Sequence, residues 1–430
     1  MNGDSRRLMV IKGFGGPPAA LLCPLISDLA ELAVVYEHTE TAFIDIDPAA
    51  EVRAVEASGD YIEAGGPEEI IPAALDCAAD HRIDGIFTVS EPLLRQTAEL
   101  AERLGIEHHH PLSAARIMTD KYEQREALQR HGLPTPHHAA ITRPEDLTPA
   151  LEAVGTPAVL KPAFGAGSML IFRIDSPEEL AEHYAMARER YSQTELLRGV
   201  EPRFDLEEVI ASENWHGDER FAGYGSVEAL MFGGEFFPLA VSDRTPLLPP
   251  FRETGLLLPS SLPADRREQM IATARGAAEA AGATNGPLHI ELMMTPSGPW
   301  VIEINGRLGG SIPYIFSEIT DVALFREIAK IALGIEPIKS ATFDGIGGMF
   351  NRHPPPGEGA VKRVVGLDEV KQMPGVRRVM VGVHEGDRAS SLLGLLGGMV
   401  RIICAAETVD DLFALRDQFV ETLRFEVQAD

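Results

Sequence analysis

Cysteine is scarce in this sequence, and its scarcity excludes two kinds of architecture. Cys23, Cys77 and Cys404 are odd in number, lie far apart and show no CxxC spacing. Neither a disulfide framework nor a cysteine zinc site is therefore expected. A reducing cytoplasm is the compartment that best fits this usage.

Positive charge is also in deficit. The 430 residues include 38 lysines and arginines against 65 aspartates and glutamates, which gives a formal net charge of −27. A surface of this sign repels nucleic acid and anionic lipid, so we expect neither as a partner. If the ligand is an anion, the few cations must be concentrated around it.

Long apolar runs are missing as well. Only four apolar residues, Leu8 to Ile11, separate the basic N-terminal residues from Lys12, too few for a signal peptide. No uncharged run reaches membrane-spanning length, so no membrane association is expected. The hydrophobic fraction of 45% is ordinary for a globular protein. At about 100 to 200 residues per domain, the length predicts several domains, and we expect three.

The first region alternates short apolar runs with stretches of helical periodicity. The apolar runs are 8–11, 32–36 and 85–89. This alternation predicts βαβ units and a small parallel sheet. The GFGGPP motif after the first run does not match a dinucleotide loop, because Pro17 and Pro18 remove two amides that could bind phosphate.

The second region opens with a helix start. Asp120 and Glu123 can form a capping box, and Ser176 is the N-cap of a later helix that runs to about Tyr191. The glycine-rich stretch FGAGS lies between two predicted strands. A proline-rich stretch, RHPPPGEG, then leads into a small α+β region. The predicted domains are an N-terminal α/β domain (1–115), a central domain (116–335, with a lid subdomain at about 155–211) and a C-terminal α+β domain (336–430).

The strongest local signal is HIELMMTPSGPWVIEINGRLGG. Glu291 and Glu303 lie on neighbouring predicted strands joined by a short turn, and Glu303, Asn305 and Arg307 alternate toward one face. Two carboxylates and an amide oxygen suit Mg²⁺, and Arg307 could clamp the group that the metal polarises. The alternative is a solvent-facing polar side of a hairpin. The apolar residues around the motif favour an interior position, where carboxylates without a cation are costly.

Lys161 follows the apolar run AVL and precedes FGAGSM, where glycines let the backbone approach a ligand closely. An anion is the natural occupant of such a site. The alternative is a solvated lysine at a strand end, and Walker A spacing is absent. Taken alone, Lys121 is an exposed helical lysine, and Glu207 and Glu208 are the polar end of a half-buried strand.

The order of these motifs resembles the ATP-grasp superfamily over about Thr119 to Leu333. The motifs are DKYEQREAL, GLPTP, VLKPAFGAGS, LEEVI, SVEAL, HIELMM and VIEINGRLGG. The resemblance implies an α/β ATP-grasp fold preceded by a parallel-sheet α/β domain. The last region is similar to the small C-terminal domain of biotin carboxylase-like members.

The resemblance also implies a site that uses ATP and Mg²⁺, with Mn²⁺ as a substitute. Lys121 and Lys161 would contact the phosphates, the loop from Gly165 to Ser168 would close over them, and the segment 207–210 would be the strand that meets adenine. The implied ATP-binding residues are Lys121, Lys161, Gly165, Gly167, Ser168, Glu207, Glu208, Val209 and Ile210. The implied metal ligands are Glu291, Glu303 and Asn305. Arg307 would stabilise the phosphoryl group or an acyl-phosphate.

Within the superfamily, the stretch SVEALMFGGEFFPLAVSDRTPLLPPFRETG is most similar to the L-amino acid ligases. This similarity implies a carboxylate–amine ligase that forms a dipeptide or related amide through an acyl-phosphate and releases ADP and phosphate. Glu228 would face the active site as a catalytic residue beside Arg307. The implied substrate-binding residues are Arg244, Arg252, Glu253, Arg307, Gly309 and Gly310.

Several points stay open at this stage. Leu256 follows ETG where many of these ligases have histidine, which puts the acceptor pocket in doubt. Glu213, Asp218 and Glu219 are rival candidates for a ribose-binding acid. Alternative functions are a biotin-carboxylase-like or nucleotide-pathway enzyme and a catalytically silent nucleotide-binding protein. Small molecules are the expected partners, and a homodimer is one option for the assembly.

Overall fold

The structure is a computed structural model that describes residues 6–37, 48–165, 167–194, 197 and 200–429. None of the helices described in these ranges is both long and apolar enough to cross a lipid bilayer.

The first region is a parallel sheet covered by helices. Its strands are β1 (Arg7–Lys12), β2 (Glu31–Glu37), β3 (Gly59–Ala64) and β4 (Gly85–Thr88), and its helices are α1 (Ala19–Ile26), α2 (Pro48–Glu56), α3 (Ile70–Asp80) and α4 (Leu94–Leu104). The strand order is β3-β2-β1-β4. Every residue of β1 is buried, as expected for a parallel strand with helices on both faces. The predicted βαβ units are confirmed. A short helix, α5 (Leu112–Met118), leads into the next region.

The lid is a separate antiparallel sheet. Helix α6 (Lys121–Arg130) precedes it. The elements of the lid are β5 (His138–Ile141), α7 (Leu147–Val154), β6 (Ala158–Pro162), β7 (Phe172–Ile174), α8 (Pro177–Gln193) and β8 (Phe204–Glu208). The strand order is β5-β8-β6-β7. The predicted N-caps are present, because Asp120 accepts a hydrogen bond from the Glu123 amide at 3.1 Å and Ser176 accepts one from the Glu179 amide at 3.2 Å.

The segment 207–210, expected to be the strand that meets adenine, is a strand only in its first two residues. Strand β8 ends at Glu208, so Val209 and Ile210 follow the strand rather than form part of it. The reason is the length of its partners. Glu208 pairs with Ala158, the first residue of β6, and beyond this pair β6 offers no further ladder partner.

A long antiparallel sheet forms the centre of the molecule. Its strands are β9 (Tyr224–Phe232), β10 (Glu235–Arg244), β11 (Gly255–Leu258), β12 (Gly286–Thr295), β13 (Gly298–Asn305), β14 (Ile346–Arg352), β16 (Val376–Val381) and β18 (Val400–Ala406). The order of these eight strands is β13-β12-β9-β10-β11-β14-β18-β16. Three of them come from beyond Gly334, so this sheet crosses the boundary predicted there. The domain limits themselves stay a prediction.

Helices and a small sheet complete the fold. They are α9 (Ala264–Ala281), α10 (Ile312–Ile319), α11 (Leu324–Ala332), β15 (Glu358–Val365), α12 (Leu367–Lys371), β17 (Arg388–Ser390), α13 (Val409–Thr422) and β19 (Arg424–Ala429). The small sheet has the order β17-β15-β19. Helix α9 buries Met270, Ala274 and Ala278 against the central sheet. Helix α10 was not predicted, because most of its residues are buried and it has no polar stripe to reveal its period.

A short 3₁₀ segment, Ser391–Gly397, joins the C-terminal region to the lid. The amide of Leu170 donates to the carbonyl of Leu392, and the amide of Leu395 donates to the carbonyl of Gly167, both at 2.9 Å. Leucines of the segment also pack against the hydrophobic core of the lid; they are Leu392, Leu393 and Leu396. We call this contact the lid clasp. The lid clasp fixes the glycine-rich loop to the C-terminal region.

The lid clasp can be tested at Gly394. This residue has a φ of 55°, and a Cβ added there would overlap the carbonyl oxygen of Gly167. Gly394→Ala is therefore expected to open the clasp and to accelerate hydrogen exchange at the amides of Leu170 and Leu395. Gly386→Ala is the matched control, because Gly386 has a φ of 96° and nothing within 4 Å of an added Cβ.

Both substitutions carry the cost of a left-handed conformation, about 1 to 2 kcal/mol. Only Gly394→Ala should change exchange in the lid. Equal exchange rates at Leu170 in the two variants would contradict the clasp.

Candidate functional site

Two adjoining cavities lie over the end of the central sheet. The outer cavity lies between the lid and this sheet and is lined by Lys121, Arg125, Lys161, Glu207, Glu208, Val209, Ile210 and Met293 among others. The inner cavity lies between the sheet, α10 and the N-terminal region and is lined by Glu91, Arg244, His289, Asn305, Arg307, Gly309 and Gly310 among others. Five residues line both cavities: Gly167, Ser168, Glu253, Glu291 and Glu303. A ligand in one cavity can therefore meet a ligand in the other.

The two lysines singled out in the sequence meet acidic partners in the outer cavity. The Lys121 Nζ atom lies 2.7 Å from Glu303 Oε1, and the Lys161 Nζ atom lies 2.6 Å from Glu207 Oε1. Burial opposes the charge of Lys121, but the charge of Glu303 outweighs it and raises the pKa of Lys121. Burial lowers the pKa of Lys161, against the charge of Glu207. Both ammonium groups are thus held at one place, ready for an anion.

Arg125 connects the helix, the lid and the central sheet at this place. Its guanidinium donates to both carboxylate oxygens of Glu207, at 2.8 and 3.1 Å, and to the carbonyls of Val301 and Ile302, at 2.9 and 2.7 Å. Burial and the charge of Glu207 raise the pKa of Asp205 well above its ordinary value, so Glu207 carries the negative charge of this pair. Arg125 was not among the predicted site residues. It lies four residues after Lys121, and this spacing, which places both side chains on one helix face, could have indicated it.

The rest of the outer cavity is apolar, and its lining includes Val159, Met169, Ile171, Leu247, Phe251 and Ile302. A pocket with an apolar part and a few convergent charges suits a ligand that has a flat ring and an anionic tail. Of the glycine-rich loop, Gly165, Gly167 and Ser168 line this cavity, and Ala166 lies outside the described residues.

The predicted metal ligands come together as the hairpin prediction requires. Glu291 pairs directly with Glu303 across β12 and β13, and His289 pairs with Asn305. In the described ranges, no group of three or more histidine, cysteine, aspartate or glutamate side chains is arranged to hold a metal ion. Two carboxylates and one amide oxygen still fit Mg²⁺, which commonly takes one or two carboxylates and completes its shell with water and phosphate oxygens.

His289, which was not among the predicted site residues, lies between two carboxylates on this face. Its Nδ1 atom is 2.5 Å from Glu228 Oε1, and its Nε2 atom is 3.1 Å from Glu291 Oε1. Burial would lower the pKa of His289, but the charge of Glu228 raises it to about 9. Burial would raise the pKa of Glu291, but the hydrogen bond with His289 and the charge of Arg244 lower it to about 2. The i,i+2 spacing from Glu291 was the signal that could have identified His289.

Glu228 is fully buried beneath this cluster and is not among the cavity-lining residues. It contacts His289, and it accepts hydrogen bonds from the hydroxyl of Ser226 at 3.0 Å and from the amide of Gly309 at 3.4 Å. Arg244 does line the inner cavity, and its guanidinium donates to Glu253 at 3.0 Å. Glu228 therefore reaches the site through His289 and the Gly309 amide, whereas Arg244 and Glu253 border it directly.

Arg307 joins the N-terminal region to the inner cavity. Its Nε atom donates to Glu91 at 2.7 Å, and its Nη2 atom lies 3.4 Å from Asn305 Oδ1. Gly309 and Gly310 follow it along the cavity wall. The loop between β1 and α1, which was excluded as a dinucleotide site, also lines this cavity, through Phe14, Gly15, Gly16 and Pro17. The parallel sheet therefore contributes a wall and a charge partner to the site.

Arg252 is the one predicted substrate-binding residue that lines neither cavity. Its guanidinium donates to the carbonyls of Pro249 and Pro354, both at 3.0 Å. These bonds hold the proline-rich loop against the C-terminal region. The three candidates for a ribose-binding acid, Glu213, Asp218 and Glu219, line neither cavity either.

Comparison with known proteins gives two family matches. An ATP-grasp domain matches residues 154–313, and an L-amino acid ligase C-terminal domain 2 matches residues 353–428. Alanine–anticapsin ligase of Bacillus subtilis (strain 168) is 30% identical over 248 residues, which are 56% of this chain and 52% of that protein. Carnosine synthase 1 of Homo sapiens is 29% identical over 272 residues, which are 60% of this chain and 31% of that protein. The chain thus spans about half the length of the first curated relatives it matches.

A solved structure agrees in fold along the whole chain. The crystal structure of an L-amino acid ligase from Bacillus licheniformis has a TM-score of 0.77 at 22% identity and covers 99% of this chain and 100% of that chain. The chain therefore contains an ATP-grasp domain followed by a region that matches the C-terminal domain of the L-amino acid ligases. These matches and the shared fold confirm the resemblance and the α/β fold predicted from the motifs.

The contacts of Arg125 predict a large effect on stability. Arg125→Met leaves the buried Glu207 without its bidentate partner and two carbonyls without a donor, and breaking a buried pair in this way costs about 3 to 5 kcal/mol. Arg130→Met, at an exposed position of the same helix, is the matched control and should change stability by less than about 0.5 kcal/mol. Denaturant unfolding of both variants measures the difference. Equal losses would contradict the role of Arg125.

Proposed function

We propose that the protein is an ATP-dependent ligase that joins a carboxylate to an amine as an amide and releases ADP and phosphate. The observation that carries this proposal is the pair of adjoining cavities that share Glu291 and Glu303. The outer cavity has the apolar slot and lysines that a nucleotide needs. The inner cavity has the arginines that a carboxylate needs. Transfer of a phosphoryl group from one ligand to the other requires such a shared boundary.

The first step activates the carboxylate. A carboxylate does not acylate an amine, because oxide is a poor leaving group, so one of its oxygens must first take up the phosphoryl group of ATP to form an acyl-phosphate, with ADP as the leaving group. Phosphoryl transfer depends mainly on positioning and on charge neutralisation. Lys121 and Lys161 would exchange their bonds to Glu303 and Glu207 for bonds to the phosphates. Mg²⁺ held by Glu291, Glu303 and Asn305 would supply further neutralisation of the phosphate charge.

The second step joins the amine. The amine attacks the carbonyl carbon of the acyl-phosphate, and phosphate leaves. Arg307, beside Asn305, would stabilise the negative charge of the tetrahedral intermediate. Water must be kept out, because hydrolysis of the acyl-phosphate wastes ATP. The glycine-rich loop, whose Gly167 and Ser168 line both cavities, would cover the boundary between them.

Amino acids are the substrates we propose. The names of the relatives, alanine–anticapsin ligase and carnosine synthase, support this class. We also propose a reducing, cytoplasmic setting, supported by three cysteines that are all free, of which Cys23 and Cys404 are buried.

The ligase proposal predicts a defined product pattern. Pairs of amino acids incubated with the protein, ATP and Mg²⁺ should release ADP and phosphate only when both partners are present, and mass spectrometry should find the condensed amide. Release of AMP and pyrophosphate would rule out an acyl-phosphate route. Turnover that depends on bicarbonate without an amino acid would favour a carboxylase-like enzyme instead.

Glu303 gives a second test of the same proposal. Glu303→Gln removes the charge that faces Glu291 and pairs with Lys121, and it should lower kcat at least about a hundredfold, the loss typical of removing one preorganised electrostatic group. Glu235→Gln is the control, since Glu235 is exposed at the far end of the same sheet. Circular dichroism checks that both variants fold. Full activity of Glu303→Gln would contradict the assignment.

A further inference from the structure

The inner cavity contains a second polar cluster that the proposed phosphoryl transfer does not use. It consists of Ser311, Tyr314 and Arg401, all of which line the cavity. Their exposed fractions are 2%, 7% and 8%, respectively. Ser311 and Tyr314 belong to the start of α10, and Arg401 comes from β18 of the C-terminal region. We call this group the distal cluster.

Two hydroxyls of the distal cluster are buried without a protein partner. Among the described residues, neither Ser311 Oγ nor Tyr314 Oη makes a hydrogen bond, although Ser311 is the N-cap residue of α10. An unsatisfied buried polar group costs about 1 to 3 kcal/mol, and native proteins hold few of them. Two such hydroxyls in one cavity wall therefore point to a ligand that accepts hydrogen bonds.

The charges around these hydroxyls define the chemistry of that ligand. Arg401 donates from Nε to Asn351 Oδ1 at 3.1 Å, and its Nη1 atom lies 3.9 Å from a Cβ built on Gly310. Arginine binds carboxylates in a fork geometry and keeps its charge when buried. The N-terminus of α10 lies at the same place and favours an anion.

The distal cluster lies close to the reacting groups. A Cβ built on Gly309 would lie 2.8 Å from His289 Nδ1, and the next residue, Gly310, lies beside Arg401. His289 and Arg401 thus flank consecutive residues of one cavity wall. A substrate that reacts beside Arg307 can therefore place a second polar group on the distal cluster.

We propose that Ser311, Tyr314 and Arg401 bind a second carboxylate of the substrate pair, one that is not phosphorylated. The assignment to substrates rests on the proposed ligase function. The carboxylate has two chemical sources, the free carboxylate of the amine-bearing amino acid or the second carboxylate of a dicarboxylic donor. In either case the distal cluster selects an acid over the corresponding amide.

The test combines two variants with matched pairs of substrates. Arg401→Met should raise KM for the carboxylate-bearing substrate about 10- to 100-fold and leave KM for ATP unchanged, as expected for loss of a charged hydrogen-bonding partner. Tyr314→Phe should raise the same KM about 2- to 10-fold. Because Tyr314→Phe removes a hydroxyl that has no protein partner, its Tm should be unchanged or higher. Arg377→Met, an exposed arginine on β16, is the control and should behave as the wild type.

Amide analogues of the two substrates show which carboxylate the distal cluster binds. If the effect of Arg401→Met disappears when L-alanine is replaced by L-alaninamide as the amine, the acceptor carboxylate is bound there. If it disappears when L-glutamate is replaced by L-glutamine as the donor, the second donor carboxylate is bound there. An unchanged KM in both Arg401→Met and Tyr314→Phe, or an equal effect with acids and amides, would overturn the proposal.

A binding measurement separates this proposal from the ligase proposal. If the distal cluster binds the acceptor carboxylate, thermal shift without ATP should show stabilisation by L-alanine but not by L-alaninamide. If it binds the second donor carboxylate, L-glutamate should stabilise the protein and L-glutamine should not. Arg401→Met should remove the stabilisation in either case. If no amino-acid pair releases ADP, the ligase proposal fails, while this pattern would still support a carboxylate site. Wild-type protein that none of the acids stabilises would count against the distal cluster.

Discussion

The pairing of Glu291 with Glu303 is the constraint on which the rest of the site depends. Two carboxylates directly opposite each other on adjacent strands repel, and burial makes the repulsion stronger. The fold balances them with cations from separate elements: Lys121 from α6, and Arg244 and His289 from the central sheet. Helix α6 and the central sheet are thus held together by the same charges that a nucleotide and a metal ion would use.

This balance explains how a strongly acidic protein can bind an anionic ligand. In the structure, Lys121 and Lys161 are each paired with a carboxylate, so neither is an uncompensated buried charge. A phosphate oxygen that replaces the carboxylate partner accepts the same hydrogen bond and carries the same negative charge. The released carboxylate, Glu303, then needs a cation of its own, which a divalent ion bound with the phosphates provides. Arg125 keeps Glu207 satisfied in either state through its bidentate bond.

The sequence predicted the fold better than the details of the site. Alternation of residues placed Glu291, Glu303 and Asn305 together, because strand period and a short turn are local properties. Contacts between distant elements could not be predicted from the sequence. Arg307 bonds to Glu91 of another region, and Arg252 donates to a carbonyl of its loop although its segment borders the cavity. The end of β8 depends on the length of β6, and α10 has only eight residues, of which six are buried, so neither had a clear local signal. The roles in catalysis stay predictions.

The C-terminal region acts on both cavities rather than forming an appendage. Its strands β14, β18 and β16 extend the central sheet, so its position is fixed by ladder hydrogen bonds. From this frame the 3₁₀ segment reaches the glycine-rich loop of the outer cavity, and Arg401 reaches the inner cavity. One sheet therefore connects the glycine-rich loop of the outer cavity with Arg401 of the inner cavity. A change in this region should alter both the closure of the glycine-rich loop over a nucleotide and the choice of substrate, because both depend on the position of the same strands.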